Sequence, residues 1–360
     1  MKKRAITLDD THSIKRTDPS NMYAYMPSLA TDAFNSYQKA KAIFSFSSES
    51  IQNIVGAGMG GSGQIPLALG SLFKNELALP FISSQDYSVP GFVDFNTLFI
   101  AISHSGETEE IINQYYQAND KNAQRAVITK GGKLLEIAKR DDVPSFSYST
   151  SQPPRASFAF MFGAALACLE NIRAIPPSQS ALREAIEVVG EVNKSNAREI
   201  EVEDNFAKKV ALQVETHTPL IYVEPPFNAI GARFSKMLNE NAKRFAFYNC
   251  FPELRHNEIM CWTTDSELNV QKNYVPILIR DNKQNSSMEK EVDAVKQMIS
   301  SNTIELRAVG KSKIARFYSL LFVTDMIAYY EAILMKKDPS TTLELNQLKD
   351  RLKHGLTLVD

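Results

Sequence analysis

Residues 97–110 read Thr-Leu-Phe-Ile-Ala-Ile-Ser-His-Ser-Gly-Glu-Thr-Glu-Glu. The run 97–102 is apolar and rich in β-branched and aromatic residues, and it is too short for a buried helix. From Glu109 to Ala118 the apolar residues take helical spacing. The stretch therefore predicts a buried strand, a tight turn and the start of a helix. Ser103, Ser105 and Thr108 bring hydroxyls to the turn, and Gly106 lets the backbone fold closely. Free N–H groups at a helix start carry partial positive charge and suit an anion, above all a phosphate. The same residues also serve an ordinary Ser-capped helix, so the turn alone does not decide.

The pattern extends in both directions. Residues 52–63, Gln-Asn-Ile-Val-Gly-Ala-Gly-Met-Gly-Gly-Ser-Gly, predict a strand running into a glycine-rich turn, with a helix over 64–72. Gly61 and Ser62 stand in that turn, a common ligand cradle in α/β folds. No acidic ribose-binding residue follows a second strand, so a dinucleotide is not indicated. Strands are expected at 79–83, 125–129 and 143–148. Pro153-Pro154-Arg155 stands before an apolar helix over 156–170, and prolines at a helix start hold Arg155 on stiff backbone. A helical connector spans 178 to about 210. The alternation then recurs: strands at 218–223, 245–250, 275–279 and 304–309, and helices at 228–243, 287–300, 312–335 and 343–352.

Strands alternating with helices give a fold class of α/β, with two doubly wound parallel-sheet domains whose ligands sit at strand C-termini. The expected organisation is a helical segment 1–50, a first domain 51–175, a connector 176–210 and a second domain 211–360.

The chain has 360 residues, 44% hydrophobic and 22% charged, enough to bury the cores of two domains. A net charge of −1 argues against a general nucleic-acid binder, so any anion site is local. No apolar run free of charges is long enough to span a bilayer; 312–335 is interrupted by Arg316, Asp325 and Glu331. The basic N-terminus lacks the apolar core of a signal peptide. Cys168, Cys250 and Cys261 show no paired spacing and read as reduced packing residues of a cytoplasmic protein. The five histidines form no zinc pattern with them, so neither metal nor cofactor is expected.

Three further residues can carry chemistry. Glu240 falls near the C-terminus of the 228–243 helix, where the dipole disfavours negative charge and suits a general base; paired with Lys236 or Lys243 it is an ordinary surface carboxylate. Arg233, Lys236, Glu240 and Lys243 are expected on the polar face of that helix. His256 lies in a polar loop and can shuttle protons near neutral pH. Lys349 sits on the last helix, where a lysine is normally a solvated charge.

Five motifs fall in one order: Gly-Met-Gly-Gly-Ser-Gly (58–63), Ser-His-Ser-Gly-Glu-Thr (103–108), Pro-Pro-Arg-Ala (153–156), Asn-Glu-Asn-Ala-Lys (239–243) and Glu-Leu-Arg-His-Asn-Glu (253–258). That order resembles the bifunctional phosphoglucose/phosphomannose isomerases, whose chains carry two sugar-isomerase (SIS) domains. The resemblance runs from about residue 18 to 352. It implies sugar 6-phosphate substrates, bound by Gly61, Ser62, Ser103, Ser105 and Thr108. It implies Glu240 as the base moving a proton between C1 and C2, and Arg155 stabilising a cis-enediolate. It implies a homodimer in which His256 of the neighbouring subunit assists ring opening, with Lys349 sharing that role. Thr342 falls where dual specificity is set. Two other readings remain open: a non-catalytic SIS module that binds sugar phosphates, and another SIS enzyme such as an amino-sugar phosphate isomerase.

Overall fold

A computed structural model of the chain describes residues 8–46, 50–263, 270–283, 286–299 and 302–354. Two parallel sheets organise it. In the first, β1 (Asn53–Gly58), β2 (Phe81–Ser84), β3 (Thr97–Ser103), β4 (Gln124–Thr129) and β5 (Ser145–Ser147) stand in the order β2-β1-β3-β4-β5. Every residue of β3 is buried, as expected of a central strand covered on both faces. In register, Gly58 pairs with Ile102 and Ser103 with Thr129. The ends of β1, β3 and β4 therefore lie side by side, and the turns that follow them share one edge.

The second sheet holds β6 (Thr218–Val223), β7 (Phe247–Cys250), β8 (Tyr274–Arg280) and β9 (Ile304–Arg307) in the order β7-β6-β8-β9, again parallel. The helices around the first sheet include α3 (Gly60–Leu72), α4 (Glu109–Asp120), α5 (Gly132–Arg140) and α6 (Phe158–Asn171). With the second go α9 (Asn228–Ala242), the short α10 (Ile259–Thr263) and α11 (Val270–Asn273), α12 (Ser286–Met298) and α13 (Lys313–Leu334). Before the first sheet come α1 (Thr11–Thr17) and α2 (Leu29–Ala40), joined by a 3-10 turn over Met22–Tyr25. The helical segment expected over 1–50 is thus divided: Asp18 accepts the Met22 and Tyr23 amides at the start of the 3-10 turn, and Pro27 stands between that turn and α2.

The 178–210 connector is also interrupted. It forms α7 (Gln179–Lys194), an irregular stretch, and α8 (Phe206–Val214). The break falls where amide side chains compete for the backbone: Asn196 takes the Ala207 N–H, and Asn205 caps α8 through the Lys208 N–H.

Helix α13 is the hub of the core, packed against α7, α8 and α9. By length and composition alone it is apolar enough to cross a membrane, yet it is buried in the protein. The three charges inside it are paired: Arg316 with Asp281 at 2.7 Å, Asp325 with Arg233 at 2.6 Å, and Glu331 with Arg244, while Lys313 at its start pairs with Glu76. Of the cysteines, Cys168 is buried but Cys261 is exposed, so packing does not explain the latter.

Candidate active site

The shared edge of the first sheet gathers the serine turn, the glycine turn and Arg155. Helix α3 begins at Gly60, four residues earlier than expected, so Gly61 and Ser62 form its first turn. A Cβ on Gly61 would stand 3.0 Å from the Arg155 nitrogen and the Pro154 carbonyl carbon, so a glycine there lets the two segments touch. The Ser62 hydroxyl accepts the His104 N–H at 3.0 Å and faces the Met161 sulfur, which ties the glycine turn to the serine turn. Ser103 and Thr108 hydroxyls lie 2.9 Å apart, and Ser103 also takes the Gly106 N–H. Ser105 is exposed and accepts the Glu107 N–H. Gly106 has φ +71°, and a Cβ there would collide with the Gly131 carbonyl oxygen 1.8 Å away. His104 is not a base candidate. Burial, reinforced by the charge of Lys130, pushes its pKa down to about 4, and its Nδ1 is 3.0 Å from the Tyr148 hydroxyl.

Arg155 is 1% exposed and reaches across to the second half of the chain. Its Nε donates to Asn241 Oδ1 at 2.8 Å, Nη2 donates to the Pro339 carbonyl, and Nη1 lies 3.4 Å from Glu240 Oε2. Burial lowers the guanidinium pKa, with Glu240 the largest opposing influence. The Glu240 side chain is 27% exposed, open to a ligand. Its charge partner is thus Arg155, not only the neighbouring lysines. Lys243, at the left-handed cap of α9, donates to the Glu240 and Thr341 carbonyls and so joins α9 to the segment before α14 (Leu343–His354).

A pocket of about 410 Å³ opens here, lined among others by Glu240, Lys243, Phe245, Thr341 and Thr342. Glu240 and Thr342, remote in sequence, share it. The serine turn reaches Glu240 through Gly61 and Arg155. The Lys349 side chain lies outside the described residues; its backbone is in α14.

His256 is not brought to Glu240 within one chain. It ends a 3-10 turn after β7 and is exposed. Glu240 stands at the end of α9, before β7, and His256 follows β7, so the two lie toward opposite ends of that strand. The second sheet's own ligand edge is filled by the chain's carboxylates. Glu224, pushed up to about 7 by burial, bonds Arg280 and the Asp281 N–H, and Glu184 takes the Ser312 N–H at the start of α13. A larger cavity, about 550 Å³, lies at the edge where β6, β8 and β9 begin, and its ionisable lining is His217 and Tyr274. Among the described residues no group of three or more His, Cys, Asp or Glu is placed to hold a metal ion.

Residues 203–352 match the family described as bacterial phospho-glucose isomerase C-terminal SIS domain. A bifunctional phosphoglucose/phosphomannose isomerase of Caldicellulosiruptor bescii is 30% identical over 308 residues, covering 84% of this chain and 90% of that protein. The chain belongs to the bifunctional phosphoglucose/phosphomannose isomerase family. A more distant relative, a D-glucosamine-6-phosphate 4-epimerase of Sulfolobus acidocaldarius, is 29% identical over 63% of this chain and 68% of its own. In fold, the chain is similar to a glucose-6-phosphate isomerase-like protein of Thermus thermophilus, with a TM-score of 0.63 at 15% identity over 96% of this chain and 99% of that one. In this isomerase-family chain the sequence puts Arg233 on a polar face, marks Asp325 only as an interruption of the apolar 312–335 run, and gives Gln64 no role beyond a helix start. All three are buried beside Arg155. Only the helical phase of Arg233 with Ile230 and Met237 hinted at it.

Proposed function

We propose that this protein interconverts glucose 6-phosphate and mannose 6-phosphate with fructose 6-phosphate through a cis-enediolate. The observation that carries the reading is the continuous run from the hydroxyl-rich turns, through a buried Arg155, to the part-exposed Glu240 carboxylate 3.4 Å from its guanidinium. A phosphate held by Ser103, Ser105, Thr108 and the first turn of α3 fixes the far end of an open-chain sugar. Glu240 takes the proton from C2 of the aldose and returns it to C1. Negative charge then grows on the enediolate oxygens, where a fixed, desolvated guanidinium stabilises it. Both aldoses give the same enediolate, so one carboxylate serves both epimers. Thr342, which lines the same pocket as Glu240, is assigned the choice between them. Neither the proton transfer nor the charge stabilisation calls on a metal ion.

Ring opening requires a proton donor and acceptor of its own beside the enolising base. We assign this to His256 of a second copy in a homodimer, with Lys349 assisting. The separation of His256 from Glu240 within one chain supports a shared site. Mixing Glu240→Gln with His256→Ala protein after dissociation and reassociation should regain roughly one quarter of the parental activity per dimer site pair if subunits exchange at random and complete sites form across the interface. Recovery at the level of the separate variants would remove His256 from the partner's site.

The reaction itself is tested with chelator-treated protein and each aldose phosphate separately, assaying fructose 6-phosphate. Formation from both at undiminished rate is expected. Formation from glucose 6-phosphate alone would remove the role of Thr342. Inactivity on both, with epimerisation of glucosamine 6-phosphate at C4, would transfer the chain to the other activity found among its relatives.

A further inference from the structure

We propose that Arg233 is a positioning residue for this isomerisation, a proposal that rests on the function argued above. Arg233 is 1% exposed and lies two turns before Glu240 on α9. It uses four of its five N–H donors on four acceptor atoms of three residues. Nε and Nη2 bond the two oxygens of Asp325 on α13 at 3.0 and 2.6 Å. Nη1 bonds Gln64 Oε1 on α3 at 2.7 Å, and Nη2 also bonds the Arg155 carbonyl at 3.0 Å. The guanidinium rests over the Phe158 ring, and Asp325 is held in turn by the Tyr25 hydroxyl at 3.0 Å. One planar group therefore joins three parts of the site: the helix of the base, the backbone of the enediolate-stabilising arginine, and the helix of the glycine turn.

Stability alone does not explain this arrangement. A buried ion pair contributes little over apolar residues of similar size, because desolvation offsets the attraction. Two of the four bonds moreover go beyond the pair, to Gln64 and to Arg155. The Gln64 amide nitrogen has no partner among the described residues, so Arg233 is what orients that amide. A lysine would keep the charge opposite Asp325 but lacks the fork that reaches the other two acceptors. Misplacing Arg155 by about 1 Å relative to Glu240 is enough to cost on the order of 100-fold in rate.

The test uses two variants of the full chain. Arg233→Lys keeps the charge. Arg233→Met combined with Asp325→Leu and Tyr25→Phe replaces the buried polar group by apolar residues. We expect kcat to fall about 100-fold in each, for both aldose phosphates, with KM within about threefold of the parent and melting temperature lowered by only a few degrees. A crystal structure of Arg233→Lys should show Arg155 withdrawn from Glu240. A folded variant of either kind with parental kcat overturns the proposal, as does failure of both to fold, which makes Arg233 purely structural. If the parent itself turns over neither sugar, the function reading fails separately. The Arg155–Glu240 separation in the Arg233→Lys crystal then decides, and a separation still near 3.4 Å refutes the positioning role.

Discussion

Glu240→Gln lowers kcat for glucose 6-phosphate and mannose 6-phosphate together, by roughly 1000-fold, the loss expected when a positioned general base is removed. The amide oxygen can still accept from Arg155, so the geometry around the guanidinium is kept while the proton acceptor is gone. The substitution leaves the 1%-exposed Arg155 guanidinium without its counter-charge while keeping an acceptor beside it, and the fold should lose roughly 2 kcal/mol. Affinity for inorganic phosphate should stay near the parental value, because the serine turn is untouched. The decisive measurement is exchange of the C2 deuterium of labelled substrate with solvent. It should stop in the variant at the same time as isomerisation. Continued exchange would mean that another group takes the proton.

Arg155→Met is expected to lower kcat by roughly 1000-fold for a different reason, the loss of a preorganised positive charge at the enediolate. It also costs stability. Asn241 Oδ1 and the Pro339 carbonyl lose their donor in a buried place, which amounts to roughly 3 kcal/mol. The two effects are separated by measuring kcat well below the melting temperature, with the folded fraction checked by circular dichroism. Arg155→Lys should restore stability in part but little of the rate, since an ammonium cannot span Asn241, Pro339 and Glu240 at once. If activity falls only in proportion to the unfolded fraction, Arg155 is a structural residue and the enediolate needs another partner.

The sequence by itself determined the repeated strand–turn–helix units. Their signals are local: an apolar run such as 97–102, a glycine or serine cluster, and then helical spacing. Parallel pairing follows from that alternation, so the two sheets and the edge carrying Ser62, Ser103 and Thr108 are legible in the sequence. The order of five short motifs also pointed to the family. What tertiary structure alone decided is how distant segments meet. Arg155, Glu240, Pro339 and Thr341 are drawn together across the two halves by arginine and lysine side chains reaching backbone carbonyls, and no spacing in the sequence encodes such contacts. The same holds for Gln64, Arg233 and Asp325. Each reads as a surface polar residue or an interruption of an apolar helix, and each is buried among partners that lie 78 or more residues away. Local patterns follow from backbone geometry that every few residues repeat. Buried charges are set by which partners the folded chain brings within about 3 Å, and that depends on the whole fold.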